Sequence, residues 1–520
     1  MKPSRRSTLL GLAAASVAAP ALANRYTPVV RTSLGEVAGV HEDGVSRFFG
    51  IPYGEPVAGR RFQPPLPVKP WQDTLRAYAF REASPQRGDE PNQAEDCLYL
   101  NIWTPGVEAG CRPVMVYIHG GAYSTGSGSA PLYDGRRMVR RGNVVVVTLN
   151  HRLNVFGYLS LAGLGVKRWA DSGNVGQLDL VLALQWIRDH IRTFGGDPER
   201  VTLFGQSGGG AKIATLMATP AASGLFHRAI TMSGQQVTAS EPRNARLRAQ
   251  AYLDALNLPP ERIEDLETMP VERLIEGLAA KDPILPFGSI YFGPVRDGRT
   301  LERHPFSPDA PPQSAHIPMI IGNTRDEARA FLAGDERNHH LTWDELPARL
   351  TPELRVTIDA TMVVSEYRRL YPSWSPSEVF FAAATASRSW RGAVIEAEAR
   401  ARQGSATWVY QLDRKSPKDG GKWGAPHTMD IPLAFGNLDA PGSYAGTTPE
   451  DRVLSDRVQD AFIAFARSAD PNHAGLPRWE PYGLPRRQTM IFDAPPRMAD
   501  DPRGAERALF ARVPYIQPGT

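Results

Sequence analysis

The sequence predicts an α/β protein with a large, mostly parallel central sheet flanked by helices. Short apolar runs typical of buried strands alternate with helix-compatible segments, and this alternation favours a parallel sheet. The run at 144–149 is apolar at nearly every position, as expected of a central strand covered on both faces. Another run, at 201–204, leads directly into a Gly-Gln-Ser-Gly-Gly turn and then into a segment that can form a helix.

Seven strands and two long helical stretches make up the expected domain. The predicted strands are 98–103, 114–119, 144–149, 201–204, 229–232, 318–322 and 407–412. The stretches at 240–280 and 341–402 are rich in Ala, Glu, Arg and Leu and are expected to be helical insertions over the strand ends, where a site built by the strands would lie. Because the chain shows no internal repeat and no low-complexity linker, we expect residues 24–520 to form one domain.

Residues 1–23 are expected to be a signal peptide. Arg5 and Arg6 precede an Ala-rich apolar run at 9–19, and small residues at 21–23 offer a cleavage site. Adjacent arginines favour the twin-arginine export route, with the general secretory route as the alternative. No other apolar run reaches the ~18 residues needed to cross a bilayer, so we expect a periplasmic or secreted bacterial product without a membrane span.

The two cysteines, Cys97 and Cys111, are expected to stay unpaired. The strands at 98–103 and 114–119 are predicted to be neighbours in a hairpin, with Cys97 at its far end and Cys111 at its loop. Six strand residues separate them by roughly 20 Å, which is beyond the reach of a disulfide.

The charge of the chain indicates no nucleic-acid partner. A formal charge of +4 arises from 59 basic and 55 acidic residues, and Lys2, Arg5 and Arg6 in the signal segment supply three of those charges. The remainder is close to neutral, unlike a nucleic-acid-binding surface. The sequence has no His-Glu-x-x-His motif, no cysteine cluster and no Walker loop, so no metal or cofactor is expected.

The turn from Gly205 to Gly209 matches the pattern G-x-S-x-G with Ser207 at its centre. Between a strand and a helix, this pattern forms a strained turn that exposes the serine Oγ. The pattern by itself also occurs in ordinary Gly/Ser loops, so the rest of the chain has to supply a base, an acid and donors for an oxyanion.

An acid and a base follow two later strands. The chain order expected with this type of turn is Ser, then Asp or Glu, then His. Asp326 and Glu327 follow the strand at 318–322, and spacing alone does not choose between them. His427 follows the strand at 407–412 through a Gly- and Lys-rich loop. It is preferred over the histidines that lack this context, which are His339, His340, His41, His304 and His473.

Oxyanion donors are expected in the segment from His119 to Ala122, which follows the strand at 114–118. Its small residues let backbone N–H groups turn toward a developing negative charge. An ordinary glycine turn is the alternative, but a His-Gly-Gly segment ahead of a G-x-S-x-G turn is much rarer than either alone.

Together these segments resemble the type-B carboxylesterase family, the cholinesterase-like branch of the α/β-hydrolases, and in particular its bacterial para-nitrobenzyl-esterase-like members. The resemblance extends through nearly the whole of 24–520. Three further segments carry it: Phe-Gly-Ile-Pro-Tyr-Gly at 49–54, Glu-Asp-Cys-Leu-Tyr-Leu-Asn at 95–101, and Phe-Gly-Gly-Asp-Pro at 194–198.

The resemblance implies an α/β-hydrolase fold and a triad of Ser207, Glu327 and His427, so Glu327 is preferred over Asp326. It implies hydrolysis of a small-molecule carboxylic ester through an acyl-enzyme, without a cofactor. We expect a monomer or a weak oligomer.

The resemblance also implies three oxyanion donors, the N–H groups of Gly121, Ala122 and Gly208. Several positions depart from the family pattern. Gln206 replaces the usual glutamate before the serine, which removes a carboxylate beside the histidine. Gly208 replaces an alanine and is expected to loosen the turn, while Ala122 replaces a third glycine of which only the N–H is needed.

Two further departures are Ala328, in place of a glycine, and the absence of the cysteine that normally pairs with Cys97. No choline site is evident.

Two other functions are compatible with the sequence. A catalytically silent binding protein of this fold would typically lack the serine or the histidine, and both are present. A lipase, a lactonase or a hydrolase of large esters would keep the same triad, because the insertions build the pocket walls.

Overall fold

The computed structural model describes residues 29–108, 110–285, 288–515, 517 and 520. The expected signal peptide, 1–23, lies outside the described residues. The strands are β1 Val30–Thr32, β2 Gly35–Ala38, β3 Val40–Glu42, β4 Val45–Pro52, β5 Leu75–Arg76, β6 Tyr99–Thr104, β7 Arg112–Ile118, β8 Val145–Leu149, β9 Gly196–Gln206, β10 Arg228–Met232, β11 Met319–Thr324, β12 Thr407–Leu412, β13 Gln488–Phe492 and β14 Arg497–Asp500.

The helices are α1 Arg136–Gly142, α2 Asn154–Tyr158, α3 Val175–His190, α4 Gly208–Met217, α5 Pro242–Ala255, α6 Val271–Gly277, α7 Arg329–Leu332, α8 Leu346–Leu350, α9 Ala360–Leu370, α10 Pro376–Thr385, α11 Arg391–Gln403, α12 Asp430–Phe435, α13 Pro449–Ser468 and α14 Gly504–Phe510. A π-helical turn, Ala386–Trp390, joins α10 to α11.

Eleven of the described strands form one sheet in the order β14-β13-β12-β11-β10-β9-β7-β8-β6-β4-β3. The pairings from β13 to β8 are parallel, and those at the two edges are antiparallel. The prediction of a mostly parallel central sheet flanked by helices is therefore confirmed. Strands β1, β2 and β5 form a separate small sheet.

Apolar side chains cover both faces of the main sheet. Along β7, Val114, Val116 and Ile118 join one buried cluster, while Met115 and Tyr117 join another. This alternation follows from the two-residue period of a strand. A sheet covered on both sides presents its functional groups only at the ends of its strands.

The predicted hairpin containing Cys97 and Cys111 is wrong, although both thiols are free as expected. Strand β8 lies between β6 and β7 and pairs with each. The chain crosses over through α1 before β8 is inserted, and a sequence of three apolar strands does not reveal their spatial order.

The helical insertions pack as a layer with its own core. Leu346, Leu350, Val363, Tyr367 and Phe380 are buried in one cluster built by α8, α9 and α10. This layer brings the loop around α7 and the π-helical turn to the carboxyl ends of the strands. Over the part of the chain that the structure describes, no helix is long and apolar enough to cross a membrane.

Candidate active site

Ser207 occupies a strained turn between β9 and α4. Its backbone has φ 57° and ψ −126°. Residues other than glycine rarely adopt this conformation, and those that do are often found at functional sites. The Ser207 N–H donates to the carbonyl of Met232 at 2.8 Å, which fixes the turn to β10. A Cβ at Gly209 would overlap the carbonyl oxygen of Ile118, so glycine is required for this close approach of α4 to β7.

The turn opens on a cavity of about 160 Å³, the Ser207 cavity. Its wall combines the serine turn, the segment after β7, the loop after β10, and the helical layer. Its lining residues include Ala122, Tyr123, Ser207, Gly208, Ser233, Gln235, Phe331, Arg388 and His427. The helical insertions therefore contribute to the site, as the sequence predicts.

Glu327 and His427 are paired beside this cavity. The imidazole Nδ1 of His427 contacts Glu327 Oε2 directly, and Glu327 is fully buried. Burial raises the pKa of the Glu327 carboxyl, but attraction by His427 and the hydrogen bonds to the carboxylate outweigh it and hold the pKa below its ordinary value. The carboxylate is therefore ionised and able to stabilise a charged imidazole.

Three donors from neighbouring strand ends hold Glu327 Oε1. Ser233 Oγ donates at 2.5 Å, the Thr324 N–H at 2.8 Å and Asn323 Nδ2 at 3.3 Å. Ser233 was not identified from the sequence. Its position directly after β10, next to a glycine, is the only signal that could have singled it out.

Asp326, the alternative acid, is hydrogen-bonded to the loop before His427 and not to the imidazole. Its Oδ2 accepts the N–H of Ala425 at 2.9 Å, and its own N–H donates to the Ala425 carbonyl at 2.9 Å. Asp326 therefore fixes the loop that carries His427. Of the two acids, only Glu327 has a hydrogen-bond contact with the imidazole.

The groups at this site come from consecutive strands of the sheet. Ser207, Ser233 and Glu327 follow β9, β10 and β11, and His427 lies in the loop after β12. In the described structure no hydrogen bond joins Ser207 Oγ to the imidazole, although both groups line one cavity. Such bonds are often long in ligand-free enzymes and shorten with substrate.

The segment after β7 lies against the serine turn. Gly121 and Ala122 both have positive φ, 83° and 54°, which turns their peptide groups sharply. Ala122 and Gly208 line the Ser207 cavity, whereas Gly121 does not. As the first residue of α4, Gly208 has an N–H that the helix itself leaves unpaired.

The expectation that Gly208 loosens the turn is wrong. A Cβ on Gly208 would overlap the carbonyl oxygen and Cα of Ala122, so the missing methyl group makes room for the segment after β7. The two departures, Gly208 and Ala122, are in direct contact and are packed as a pair. The contact between these two positions could not be predicted, because a sequence gives no distance between them.

Lys212 on α4 is a further residue that the sequence did not single out. Its Nζ donates to the His119 carbonyl at 3.1 Å, which anchors the start of the segment that ends at Ala122. Because Lys212 is completely buried, its pKa is lowered to about 7. Burial and then Lys212 lower the pKa of His119 to about 3, so that ring is neutral.

Among the described residues, no group of three or more His, Cys, Asp or Glu side chains could hold a metal ion. The Ser207 cavity presents a hydroxyl from Ser207, an imidazole from His427 and a guanidinium from Arg388.

Comparison with known proteins identifies the family of the chain. The model of the carboxylesterase family matches residues 26–510. The chain is 37% identical over 498 residues to the para-nitrobenzyl esterase of Bacillus subtilis (strain 168), covering 92% of this chain and 97% of that protein. It is 34% identical to the phenmedipham hydrolase of Pseudarthrobacter oxydans, covering 94% of this chain and 98% of that protein.

Solved structures agree as well. A crystal structure of a Geobacillus stearothermophilus carboxylesterase superposes with a TM-score of 0.82 at 36% identity, covering 93% of this chain and 99% of the other. The resemblance found in the sequence is confirmed, and so is the α/β-hydrolase fold. The chain belongs to the carboxylesterase family and is a carboxylic ester hydrolase.

Proposed function

We propose that Ser207, His427 and Glu327 form a catalytic triad that hydrolyses small carboxylic esters through an acyl-enzyme. The observation that carries this proposal is the buried pair of Glu327 and His427 at the wall of the cavity into which Ser207 is exposed. No other described residues combine a nucleophile on a strained turn with a carboxylate-bound imidazole.

In the first half of the reaction, His427 removes the proton of Ser207 as Oγ attacks the ester carbonyl carbon. Glu327 stabilises the imidazolium that forms. The N–H groups of Gly208, Ala122 and Gly121 stabilise the negative oxygen of the tetrahedral intermediate. Collapse of the intermediate releases the alcohol, which takes its proton from His427.

In the second half, His427 activates a water molecule that attacks the acyl group on Ser207. The carboxylic acid leaves and Ser207 regains its proton. Asp326 and Lys212 act as positioning residues in this scheme, because they hold the loop of His427 and the segment of Ala122 respectively.

A neutral phosphonate that reacts with activated serines tests the proposal. We expect one equivalent to attach to Ser207, located by mass spectrometry, and Ser207→Ala to lower kcat by on the order of 10⁴- to 10⁶-fold. Ser468→Ala, at an exposed serine at the end of α13, is the control and should behave as the wild type. Labelling elsewhere, or full activity of Ser207→Ala, would refute the triad.

Export is proposed from the sequence alone. The twin arginines Arg5 and Arg6 support translocation of the folded protein to the periplasm or beyond. Fractionation of cells that express the full chain and an Arg5→Lys/Arg6→Lys variant tests this. Retention of the variant in the cytoplasm supports the twin-arginine route, and unchanged export supports the general secretory route.

A further inference from the structure

Arg388 brings a positive charge to the wall of the Ser207 cavity. It lies in the π-helical turn Ala386–Trp390 and lines the same cavity as Ser207 and His427. Turns of this kind insert an extra residue into a helix and occur frequently at functional sites. Arg388 has no role in the proposed hydrolysis of an uncharged ester.

The guanidinium of Arg388 lies over an aromatic ring next to the catalytic histidine. Its Cζ lies 4.2 Å from the centroid of Phe331, whose ring centroid is 5.1 Å from that of His427. A cation–π contact of this kind uses none of the five N–H groups in a conventional hydrogen bond, so they can still bind a ligand.

Those donors have no carboxylate of their own. Within the described residues, the Arg388 side chain makes no hydrogen bond and no ion pair. Three buried arginines elsewhere pair with a carboxylate: Arg152 with Asp179, Arg248 with Asp282, and Arg503 with Glu506. A fourth, Arg400, instead donates to the Thr407 hydroxyl and to two backbone carbonyls. Arg388 is partly buried and differs from all four because its side chain lines the Ser207 cavity without a hydrogen-bonded partner among the described residues.

No carboxylate lines the described wall of the cavity. Apart from Arg388 and His427, its described lining residues are uncharged. Glu327 is engaged by His427 and Ser233 behind the wall, and Gln206 stands where the family usually carries a glutamate. Burial lowers the pKa of Arg388, and the more distant carboxylates of Glu353 and Glu327 offset this only in part. An arginine nevertheless stays protonated throughout the range in which enzymes work.

From this arrangement we infer that Arg388 binds a carboxylate of the substrate, so that the preferred substrates are esters bearing a free carboxylate close to the scissile bond. The inference rests on the proposed function and specifies its substrate class. A planar carboxylate matches the edge of one guanidinium with two parallel hydrogen bonds. The reaction itself is unchanged: water adds across the ester, and the second carboxylate leaves intact on one product.

The carboxylate can belong to either half of the ester, and two substrate series distinguish the halves. Monoethyl succinate, glutarate and adipate carry it on the acyl side, and 3-acetoxypropanoate and 4-acetoxybutanoate carry it on the alcohol side. Each is compared with the matching primary carboxamide, which has the same shape without the charge. The readout is the ratio of kcat/KM for the carboxylate to kcat/KM for the carboxamide.

We expect a ratio above one in one of the two series, and that series identifies the side. In Arg388→Gln this ratio should fall by about tenfold to a hundredfold, which is the range for a hydrogen bond to a charged group. The ratio for Arg388→Lys should lie between those of the wild type and Arg388→Gln. Arg391→Gln, a half-buried arginine of the next helix that does not line the cavity, is the matched control. Equal ratios in wild type and Arg388→Gln, or carboxylates disfavoured in both series, would overturn the inference.

The wild type also provides a test that needs no variant. Succinate and glutarate should inhibit hydrolysis of a neutral ester at concentrations at least about tenfold lower than their monoamides, and added salt should weaken that difference. Equal inhibition would overturn the inference. Failure of the phosphonate to label Ser207 would instead refute the proposed function, so the two failures are distinguishable.

Discussion

The side-chain amide of Gln206 lies over the face of the His427 ring. Its nitrogen is 3.3 Å from Nδ1 and 3.2 Å from Nε2. An atom that lies equally close to both ring nitrogens, in the plane of the ring, would overlap Cε1, so the amide lies above that plane. Gln206 therefore contacts the histidine without occupying the direction in which Nε2 meets Ser207.

Gln206→Glu is expected to shift the pH dependence of turnover. A carboxylate over the ring favours the imidazolium, which cannot act as a base, so the acid limb of the kcat/KM profile should move up by about 1 pH unit. Profiles measured with a neutral ester from pH 5 to 9 check this. Gln206→Met, which keeps the length without charge, is the control and should leave the limb in place; a Gln206→Glu profile that superposes on the wild type would contradict the prediction.

Replacing Glu327 should affect catalysis far more than replacing Asp326. Glu327→Gln leaves His427 without its carboxylate and in the wrong tautomer, and kcat should fall by about 10³- to 10⁴-fold. Asp326→Asn weakens one hydrogen bond to the Ala425 N–H, and we expect a loss below about tenfold. Steady-state kinetics of both variants decide the question, and comparable losses would mean that the two acids have been assigned incorrectly.

Gly208→Ala should disturb the oxyanion donors through Ala122. The added methyl group would overlap the Ala122 backbone, and displacement of a donor lowers kcat by about 10²- to 10³-fold. Adding Ala122→Gly should restore part of the rate, because glycine adopts the positive φ of this position freely. Gly334→Ala, where nothing lies near the new Cβ, is the control, and a double variant no better than Gly208→Ala would argue against coupling of the two positions.

Lys212 should make the stability depend on pH. Its pKa is about 7 in the folded protein and near 10.4 in an unfolded chain, so the unfolded state binds more protons between these values. The free energy of unfolding should therefore rise with pH, relative to Lys212→Met, by up to about 1.4 kcal/mol per pH unit from pH 7 to 10. The difference is constant below pH 7, where Lys212 is charged in both states.

Urea unfolding of the wild type and of Lys212→Met at several pH values measures this slope. Lys212→Met also leaves the His119 carbonyl without its donor, but that cost does not vary with pH. The exposed Lys167 provides a matched control. The free energy of unfolding of Lys167→Met should change with pH in parallel with that of the wild type. Parallel curves for Lys212→Met as well would contradict the lowered pKa.

Much of the site follows from the sequence because its chemistry lies at strand ends. The apolar strand at 201–204 and the glycines after it mark the turn of Ser207, and the strands at 318–322 and 407–412 lead to Glu327 and His427. Ser207 and His427 are identified by what precedes them in the chain, which a sequence records directly. The choice of Glu327 over Asp326 comes from the family resemblance and not from spacing.

The remaining groups depend on distances between elements that the sequence does not record. Arg388 lies in an Ala-rich helical stretch, where a charged residue normally marks a solvated face. Ser233 is one of many serines beside a glycine. The prediction of a hairpin between Cys97 and Cys111 is wrong for the same reason, because β8 enters the sheet between two strands that precede it in the chain.

The placement of the site on β9 to β12 links activity to folding. Ser207 and His427 are more than two hundred residues apart, and each intervening strand pairs with the next. Contacts of such long sequence separation form slowly, because the loop between them must be closed first. A nascent chain that ends before β12 contains the proposed nucleophile but lacks the proposed base. With the proposed triad, the enzyme therefore becomes active only after β12 and the loop that follows it have joined the sheet, so turnover would report the assembly of this half of the sheet.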